Sequence, residues 1–371
     1  MKKIMIFVFS VFLIALVSCE NNEDKYLVPL EGGAVPRLDD GWVLKWADEF
    51  DGEELDLSKW NYEINGDGGG NNELQYYVDT NATLEDSILK ITAKREGYKG
   101  KNYTSSRITT RFKGDFLYGR IQVRAKNPIG RGTWPAIWMM PSLGQYGGWP
   151  GSGEIDIMEY VGYDPNKIHH TIHTKKYNHK QGTQVGKTIN YPTSNSEFVL
   201  YELIWNPGEM IWFVDGKETF RVMYKPEMNL DVPYYEAFPF DQPFFIILNL
   251  AVGGDWGGVQ GVDNEIFPAT FEIDYVRYYQ RDYYRVDKKA PDKIEFIAPA
   301  RLANTIYWEK PDDDYGVKYY QVYLDGEYYD DANINQYTFR NLAKGSHIIQ
   351  IVAVDFTEKK SPKSIKFQYD N

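Results

Sequence analysis

Gly119-Arg120-Ile121-Gln122-Val123-Arg124 alternates apolar and polar residues with period two. An extended chain with that rhythm turns one face to a core and the other to water. Ile88-Leu89-Lys90-Ile91-Thr92-Ala93 and Phe271-Glu272-Ile273-Asp274-Tyr275-Val276 repeat it. Gly, Asn, Asp and Pro punctuate such runs at short intervals, and beyond residue 40 almost nothing reads as a long amphipathic helix. The pattern predicts an all-β chain of antiparallel sheets, a sandwich or a barrel. No internal repeat or low-complexity stretch interrupts it.

The 371 residues exceed the usual span of one domain, so two units are expected. A 43% hydrophobic fraction supplies a core, and 30 Tyr, 19 Phe and 10 Trp exclude general disorder. The net charge of −12, spread along the chain, argues against nucleic acid or an anionic membrane surface as a partner. One cysteine excludes disulfides within the chain and any cysteine-based metal site. The abundant Tyr and Trp suit sugar rings, and they suit β-sheets equally well.

Met1-Lys2-Lys3 followed by the apolar run Ile4 to Val17 has the layout of a signal peptide and is short for a membrane span. Its end, Leu16-Val17-Ser18-Cys19, resembles the lipobox of bacterial lipoproteins, which implies cleavage after residue 18 and a lipid on Cys19. The following Glu20-Asn21-Asn22-Glu23-Asp24 resembles the acidic tract that sends lipoproteins of gut Bacteroidetes to the cell surface. Residues 19–40 then form a tether, and the protein is expected on the outer membrane, facing outward or into the periplasm.

A charged seam at residues 283–291 closes on Pro291 and reads as a linker. Beyond it, Thr305-Ile306-Tyr307-Trp308, Tyr319-Tyr320-Gln321-Val322-Tyr323-Leu324 and Ile348-Ile349-Gln350-Ile351-Val352-Ala353-Val354 read as strands, with Asp325-Gly326 as a hairpin turn. Residues 292–371 therefore resemble a fibronectin type III domain, a module that usually acts as a spacer.

The most informative stretch is Gly153-Glu154-Ile155-Asp156-Ile157-Met158-Glu159-Tyr160. On a regular strand Glu154, Asp156 and Met158 share a face and Glu159 points the other way, into the core. A buried, unpaired carboxylate is costly. A β-bulge at Ile157-Met158 adds one residue and rotates Glu159 onto the face of the other two. Glu154 and Glu159 then stand four steps apart, roughly 13 Å between Cα atoms. Glutamate side chains reach roughly 3.5–4 Å, so two leaning together leave about 5–6 Å. Retaining glycosidases hold a nucleophile and a proton donor about 5–5.5 Å apart. Asp156 between them adds like-charge repulsion that favours a protonated donor.

At these residues the chain resembles glycoside hydrolase family sixteen in its bulged, laminarinase-like form. The resemblance runs from about Trp42 to Gln280 and takes in Trp46-Ala47-Asp48-Glu49-Phe50, Asn71-Asn72-Glu73-Leu74-Gln75-Tyr76-Tyr77, Gly132-Thr133-Trp134-Pro135-Ala136-Ile137-Trp138-Met139 and Ala251-Val252-Gly253-Gly254-Asp255-Trp256-Gly257-Gly258. It implies a concanavalin-like β-jelly roll over residues 41–282 whose concave face holds a polysaccharide, followed by the smaller immunoglobulin-like sandwich. Carried over by position, Glu154 is the nucleophile, Glu159 the general acid/base and Asp156 the residue that orients Glu154. Trp134 and Trp138, four apart on one strand, share a face and could stack on successive sugars. Trp256 lies in a glycine-rich loop, which favours a subsite wall. Arg107, one of Asn71 and Asn72, Tyr160 and His173 complete the expected sugar-binding set. One zinc could not collect His169, His170 and His173, because the outer two are roughly 13 Å apart on a strand and the middle one faces away. Asp274 resembles the side-chain ligand of a structural calcium, with Glu49 helping. No cofactor is implied for catalysis, and a monomer is expected.

Three readings compete. An endo-acting retaining hydrolase of β-1,3- or mixed β-1,3/1,4-glucan comes first. The same mechanism on β-galactosidic bonds, in agar-type polymers, keratan or poly-N-acetyllactosamine, comes second. A surface glycan-binding protein without catalysis comes third. The loops around Gly144-Gln145-Tyr146-Gly147-Gly148-Trp149 and Lys175-Lys176-Tyr177-Asn178-His179 decide the sugar, and their sequence does not disclose it.

Overall fold

The computed structural model describes residues 41–371; Cys19 and the segments read as a signal peptide and a tether lie outside the described residues. Two eight-stranded sheets stack face to face. The outer sheet runs in the order Lys217–Met223, Glu209–Val214, Val199–Asn206, Gly119–Lys126, Ala269–Arg281, Ile88–Ala93 and Ala82–Glu85, with Trp42–Asp48 also paired to Ala269–Arg281. The inner sheet runs Val185–Asn190, Lys167–His173, Glu154–Glu159, Thr133–Pro141, Phe244–Val252, Arg107–Thr109 and Asn61–Tyr62, with Asp115–Phe116 on Phe244–Val252. The pairings within both sheets are antiparallel. These are the antiparallel sheets that period-two alternation implied, arranged as the jelly roll that the family resemblance implied.

Alternation decides what each face carries. Ile121, Val123 and Ala125 of the outer sheet are wholly buried, while Arg120 and Arg124 beside them carry partly exposed side chains. Ile137, Met139, Ile155, Ile246 and Leu248 answer from the inner sheet, and the largest buried rings, Trp205, Trp212, Phe244 and Phe271, fill the space between. Burying such side chains contributes about 1.5–3 kcal/mol apiece, which makes this layer the main source of stability.

Residues beyond 291 form a three-stranded sheet, Ile297–Pro299, Thr305–Trp308 and Gln336–Thr338, and a four-stranded one, Glu327–Ala332, Val317–Leu324, Ser346–Asp355 and Phe367–Asp370. They enclose a separate core around Trp308, Tyr320 and Ile351. The hairpin at Asp325-Gly326 has positive φ at both residues, 52° and 93°, as a two-residue primed turn requires. The seam behaves differently from the expected linker. Tyr283–Val286 forms a helical turn, Tyr283 stacks on Phe356 at 4.1 Å, and buried Asp287 accepts from Lys359 Nζ at 2.7 Å. Aromatic stacking and a charge-assisted bond hold in place what composition alone marked as spacer.

Candidate active site

The decisive feature is a register break in the Glu154–Glu159 strand. On its Thr133–Pro141 neighbour, Met158 pairs with Ile137 but Asp156 pairs with Trp138, so one extra residue sits opposite the partner strand. The other neighbour agrees, with Asp156 opposite Thr171 and Glu159 opposite His169. The bulge leaves Ile155, Ile157 and Met158 in the core and puts Glu154, Asp156 and Glu159 on the cleft face. Gly153 begins the turn into this strand at φ 88°, and a Cβ there would approach Pro239 and Phe240 within 2.9 Å. Only glycine meets both demands cheaply.

The cleft encloses about 550 Å³ and is lined by the three acids, Trp134, Trp138, Arg107, Asn71, His173 and Trp256. Trp134 and Trp138 do share a face. Trp134 donates its indole N–H to Glu159 Oε1 at 3.2 Å, and Trp138 donates to Asn249 Oδ1 at 2.7 Å under the Arg107 guanidinium. Trp256 meets Trp134 edge-on at 5.5 Å and His169 at 4.8 Å. Gly257 lies against Trp134, where a Cβ would come within 2.9 Å of the tryptophan Cβ. Asn71 lines the cleft; Asn72 is exposed, with φ 57°, and donates to Asp255 at 2.9 Å.

Two expectations fail. Tyr160 is wholly buried and accepts from Asn195 instead of facing the sugar cleft. Once the bulge turns Glu159 to the cleft, the next residue must point to the core. The calcium pair does not fit a cation either. Arg277 grips both oxygens of Glu49 at 2.8 Å, and Arg124 binds Asp274, so guanidinium groups take the places a calcium would need. The histidines separate as alternation requires: His169 reaches Thr188 and Trp256, His170 bonds Ile157 O and Thr219, and His173 Nε2 lies 3.5 Å from Asp156.

The electrostatics divide the acids. Burial pushes Glu159 up to about 8, helped by the Glu154 charge and opposed by the Trp134 N–H. Burial also raises Glu154, but hydrogen bonds from Trp149 and Asp156 and the positive Arg107 pull it back. Burial and both glutamates push Asp156 well above its ordinary value, which favours a protonated carboxyl hydrogen-bonded to Glu154. Burial lowers His173 to about 4, leaving it neutral. The strand thus presents one acid equipped to be an anion and one equipped to hold a proton.

Several cleft residues escaped the sequence reading. Trp149 donates to Glu154 from the loop that precedes it. Buried Glu73 accepts from Gln75 at 2.6 Å and Tyr77 at 3.0 Å, and Asn249 bridges Tyr77 and Trp138. His169, His179 and Asp255 also line the cleft. For Trp149 a signal existed, a tryptophan among glycines; for Asn249, inside the apolar run Phe244–Val252, the signal was the one polar residue of a fully buried strand.

Residues 48–277 match the family described as Glycosyl hydrolases family 16. A β-glucanase of Rhodothermus marinus is 50% identical over 247 residues, covering 64% of this chain and 85% of that protein. The X-ray structure of the laminarinase from Rhodothermus marinus superposes with a TM-score of 0.63 at 49% identity, covering 65% of this chain and 98% of that one. A keratan-sulfate endo-1,4-β-galactosidase of Sphingobacterium multivorum is 33% identical over 244 residues, covering 64% of this chain and 55% of that protein. With the jelly roll, the bulged acidic strand and this match over most of the first β unit, the chain belongs to glycosyl hydrolase family 16 and hydrolyses O-glycosyl bonds.

Proposed function

We propose that the protein cleaves internal β-1,3 bonds of laminarin-type or mixed β-1,3/1,4-glucans with retention of anomeric configuration. The observation that carries this is the bulge, which brings Glu154 and Glu159 to one face, where Glu159 is pushed up to about 8 while Trp149, Asp156 and Arg107 draw Glu154 back towards its charged form. In the first step a Glu154 oxygen attacks the anomeric carbon as Glu159 gives its proton to the departing glycosidic oxygen. A glycosyl ester on Glu154 results. In the second step Glu159, now ionised, takes a proton from water, the water oxygen bonds to the anomeric carbon, and Glu154 is released. Asp156 and Trp149 hold Glu154 by hydrogen bonds, and Trp134, Trp138 and Trp256 offer faces for sugar rings. Every step uses side chains and water.

The identity of 50% to a β-glucanase against 33% to a keratan-sulfate galactosidase supports glucan over galactan. The galactan reading keeps the same acids and is the second candidate. A binding-only role would require inactive acids, and both glutamates are present. The lipobox-like Leu16-Val17-Ser18-Cys19 supports a lipid anchor at the outer membrane, and the three-plus-four sandwich supports a fibronectin type III-like module behind it. Product analysis on laminarin, mixed-linkage glucan, agarose and poly-N-acetyllactosamine, with Glu154→Gln as the blank, tests the function. Oligosaccharides from the glucans, absent with the variant, are expected. Products from galactose polymers alone would replace the substrate and keep the mechanism.

A further inference from the structure

Between Lys217–Met223 and Phe244–Val252 the chain runs through residues 224–243, which touch both the second sandwich and the loop that leads into Glu154. On one side the sandwich is pinned to it. Ile334 is buried in the main core of the jelly roll, not in the core of its own sandwich. Gln336, 2% exposed, donates to Val232 O at 3.3 Å and accepts from Tyr224 Oη. Leu302 N donates to Leu230 O at 2.8 Å, and Asn333 Nδ2 donates to Asp241 Oδ2 at 3.0 Å. On the other side sits the loop that leads into Glu154. Tyr146 donates to both oxygens of the same Asp241, at 2.9 and 3.0 Å, and its ring stacks on Tyr235 at 4.8 Å and 5°. Gln145 N donates to Gln242 Oε1 at 2.9 Å. Three residues beyond Tyr146, Trp149 donates its indole N–H to Glu154.

A continuous set of bonds therefore joins Asn333 to Asp241, Asp241 to Tyr146, and the Tyr146 loop through Trp149 to Glu154. We propose that the C-terminal sandwich is a positioning element of the active site, bracing the 142–153 loop so that Trp149 holds Glu154 in its attacking position. The physical reason is the weakness of the loop alone. It contains five glycines, at 144, 147, 148, 151 and 153, and no β-pairing of its own, so its geometry depends on what its outer edge grips. Asp241 gathers two tyrosine hydroxyls and the Asn333 amide, and a hub with three donors has less freedom than one with two. A carboxylate misplaced by even one ångström loses much of its rate. The resemblance to a fibronectin type III domain made residues 292–371 a spacer; their contacts make them part of the catalytic frame. Asn333, Asp241 and Tyr146 act here as positioning residues, not catalytic ones.

The inference rests on Glu154 as nucleophile, and its test separates the two. Hydrolysis of laminarin across pH is measured for the full chain carrying Asn333→Ala, Tyr146→Phe, Trp149→Phe, Asn333→Ala with Trp149→Phe, and Lys359→Ala. Asn333 is exposed, so its truncation leaves no buried hole. Asn333→Ala and Tyr146→Phe should each lower kcat about three- to tenfold, the scale of one hydrogen bond, with KM little changed. Loss of the Trp149 donor raises Glu154, so the acid limb of kcat/KM should move to higher pH in Asn333→Ala, Tyr146→Phe and Trp149→Phe. The double variant should be no worse than Trp149→Phe, because both changes break one linkage. Lys359→Ala opens the contact with Asp287 elsewhere on the junction and should leave kcat and the acid limb unchanged. Wild-type kcat and acid limb in both Asn333→Ala and Tyr146→Phe would overturn the inference. So would losses that multiply in the double variant, or an equal shift in Lys359→Ala. An active Glu154→Gln would overturn the nucleophile instead, whatever Asn333→Ala does.

Discussion

Buried acids occur on both sheets of the jelly roll, and they live in opposite surroundings. On the outer sheet Glu202 is 4% exposed and fully compensated: Arg120 Nε and Gln122 Nε2 each donate to Oε2 at 2.6 Å. On the inner sheet Glu154, Asp156 and Glu159 have no cation in contact, and the nearest basic ring, His173, is neutral. A carboxylate with a guanidinium beside it holds structure, because its charge is already answered. Carboxylates gathered without one are left to redistribute protons among themselves, which is what catalysis by two acids requires. Burial alone therefore does not mark a catalytic acid in this fold; on the bulged strand it comes with the lack of a directly bound cation.

The contrast is sharpest in the largest expected effect. Glu154→Gln should lower kcat on laminarin by about 10⁴-fold or more, the order lost when a nucleophile is removed, with unfolding temperature preserved. A variant retaining a tenth of wild-type turnover would end the assignment. Glu159→Gln should cost about 10²–10⁴ in rate and abolish the alkaline limb of the profile. That limb arises because the proton donor is lost as pH rises through about 8. The same shift has a stability sign. Folded Glu159 keeps its proton between the ordinary glutamate range and about pH 8 while the unfolded chain does not, so stability falls as pH rises through that window. Glu159→Gln should consequently melt higher than wild type at pH 8 and equally at pH 4, which calorimetry can check. An unchanged difference across that range would remove Glu159 as the raised group.

Glu202→Ala probes the other side of the contrast. It strands Arg120 beside a buried void and should cost about 3–5 kcal/mol of stability in denaturant titrations, with kcat unchanged below the melting range. A fall in kcat comparable to that of Glu159→Gln would break the distinction between the sheets. The smallest effect is expected for Trp138→Ala, which removes a ring face and the partner of Arg107 and Asn249. KM for laminarin should rise about tenfold, the worth of one aromatic contact, with kcat nearly intact. A lower kcat at constant KM would move Trp138 from binding to positioning.

The comparison also explains what could be read from the chain. The three acids were legible because a strand cannot bury Glu159 unpaired, so alternation itself demanded the bulge that the pairing with Ile137 and Trp138 displays. Trp134, Trp138 and Trp256 were legible from spacing and glycine content, and all three reach the cleft. Tyr160 was misplaced by taking a motif as a block and not following the alternation one residue further. Glu49 and Asp274 were misassigned because nothing local announces that Arg277 and Arg124 come to them across paired strands. Asn249 went unassigned for the same reason, since its partners Tyr77 and Trp138 lie 172 and 111 residues away, whereas Trp149 and Glu73 bond partners only 5 and 4 residues away and needed the loop geometry to bring them in.

By itself, then, the sequence determined the β class and pointed to the bulged acidic strand, since period-two alternation and the cost of an unpaired charge act within a few residues, and its resemblance to a known family supplied the reaction type. Only the tertiary structure decided which acid keeps its proton, which arginines answer the remaining carboxylates, and that the second sandwich grips the segment holding the cleft loop. Those outcomes depend on solvent exclusion and on charges brought together from distant strands, and neither exists until the sheets have packed.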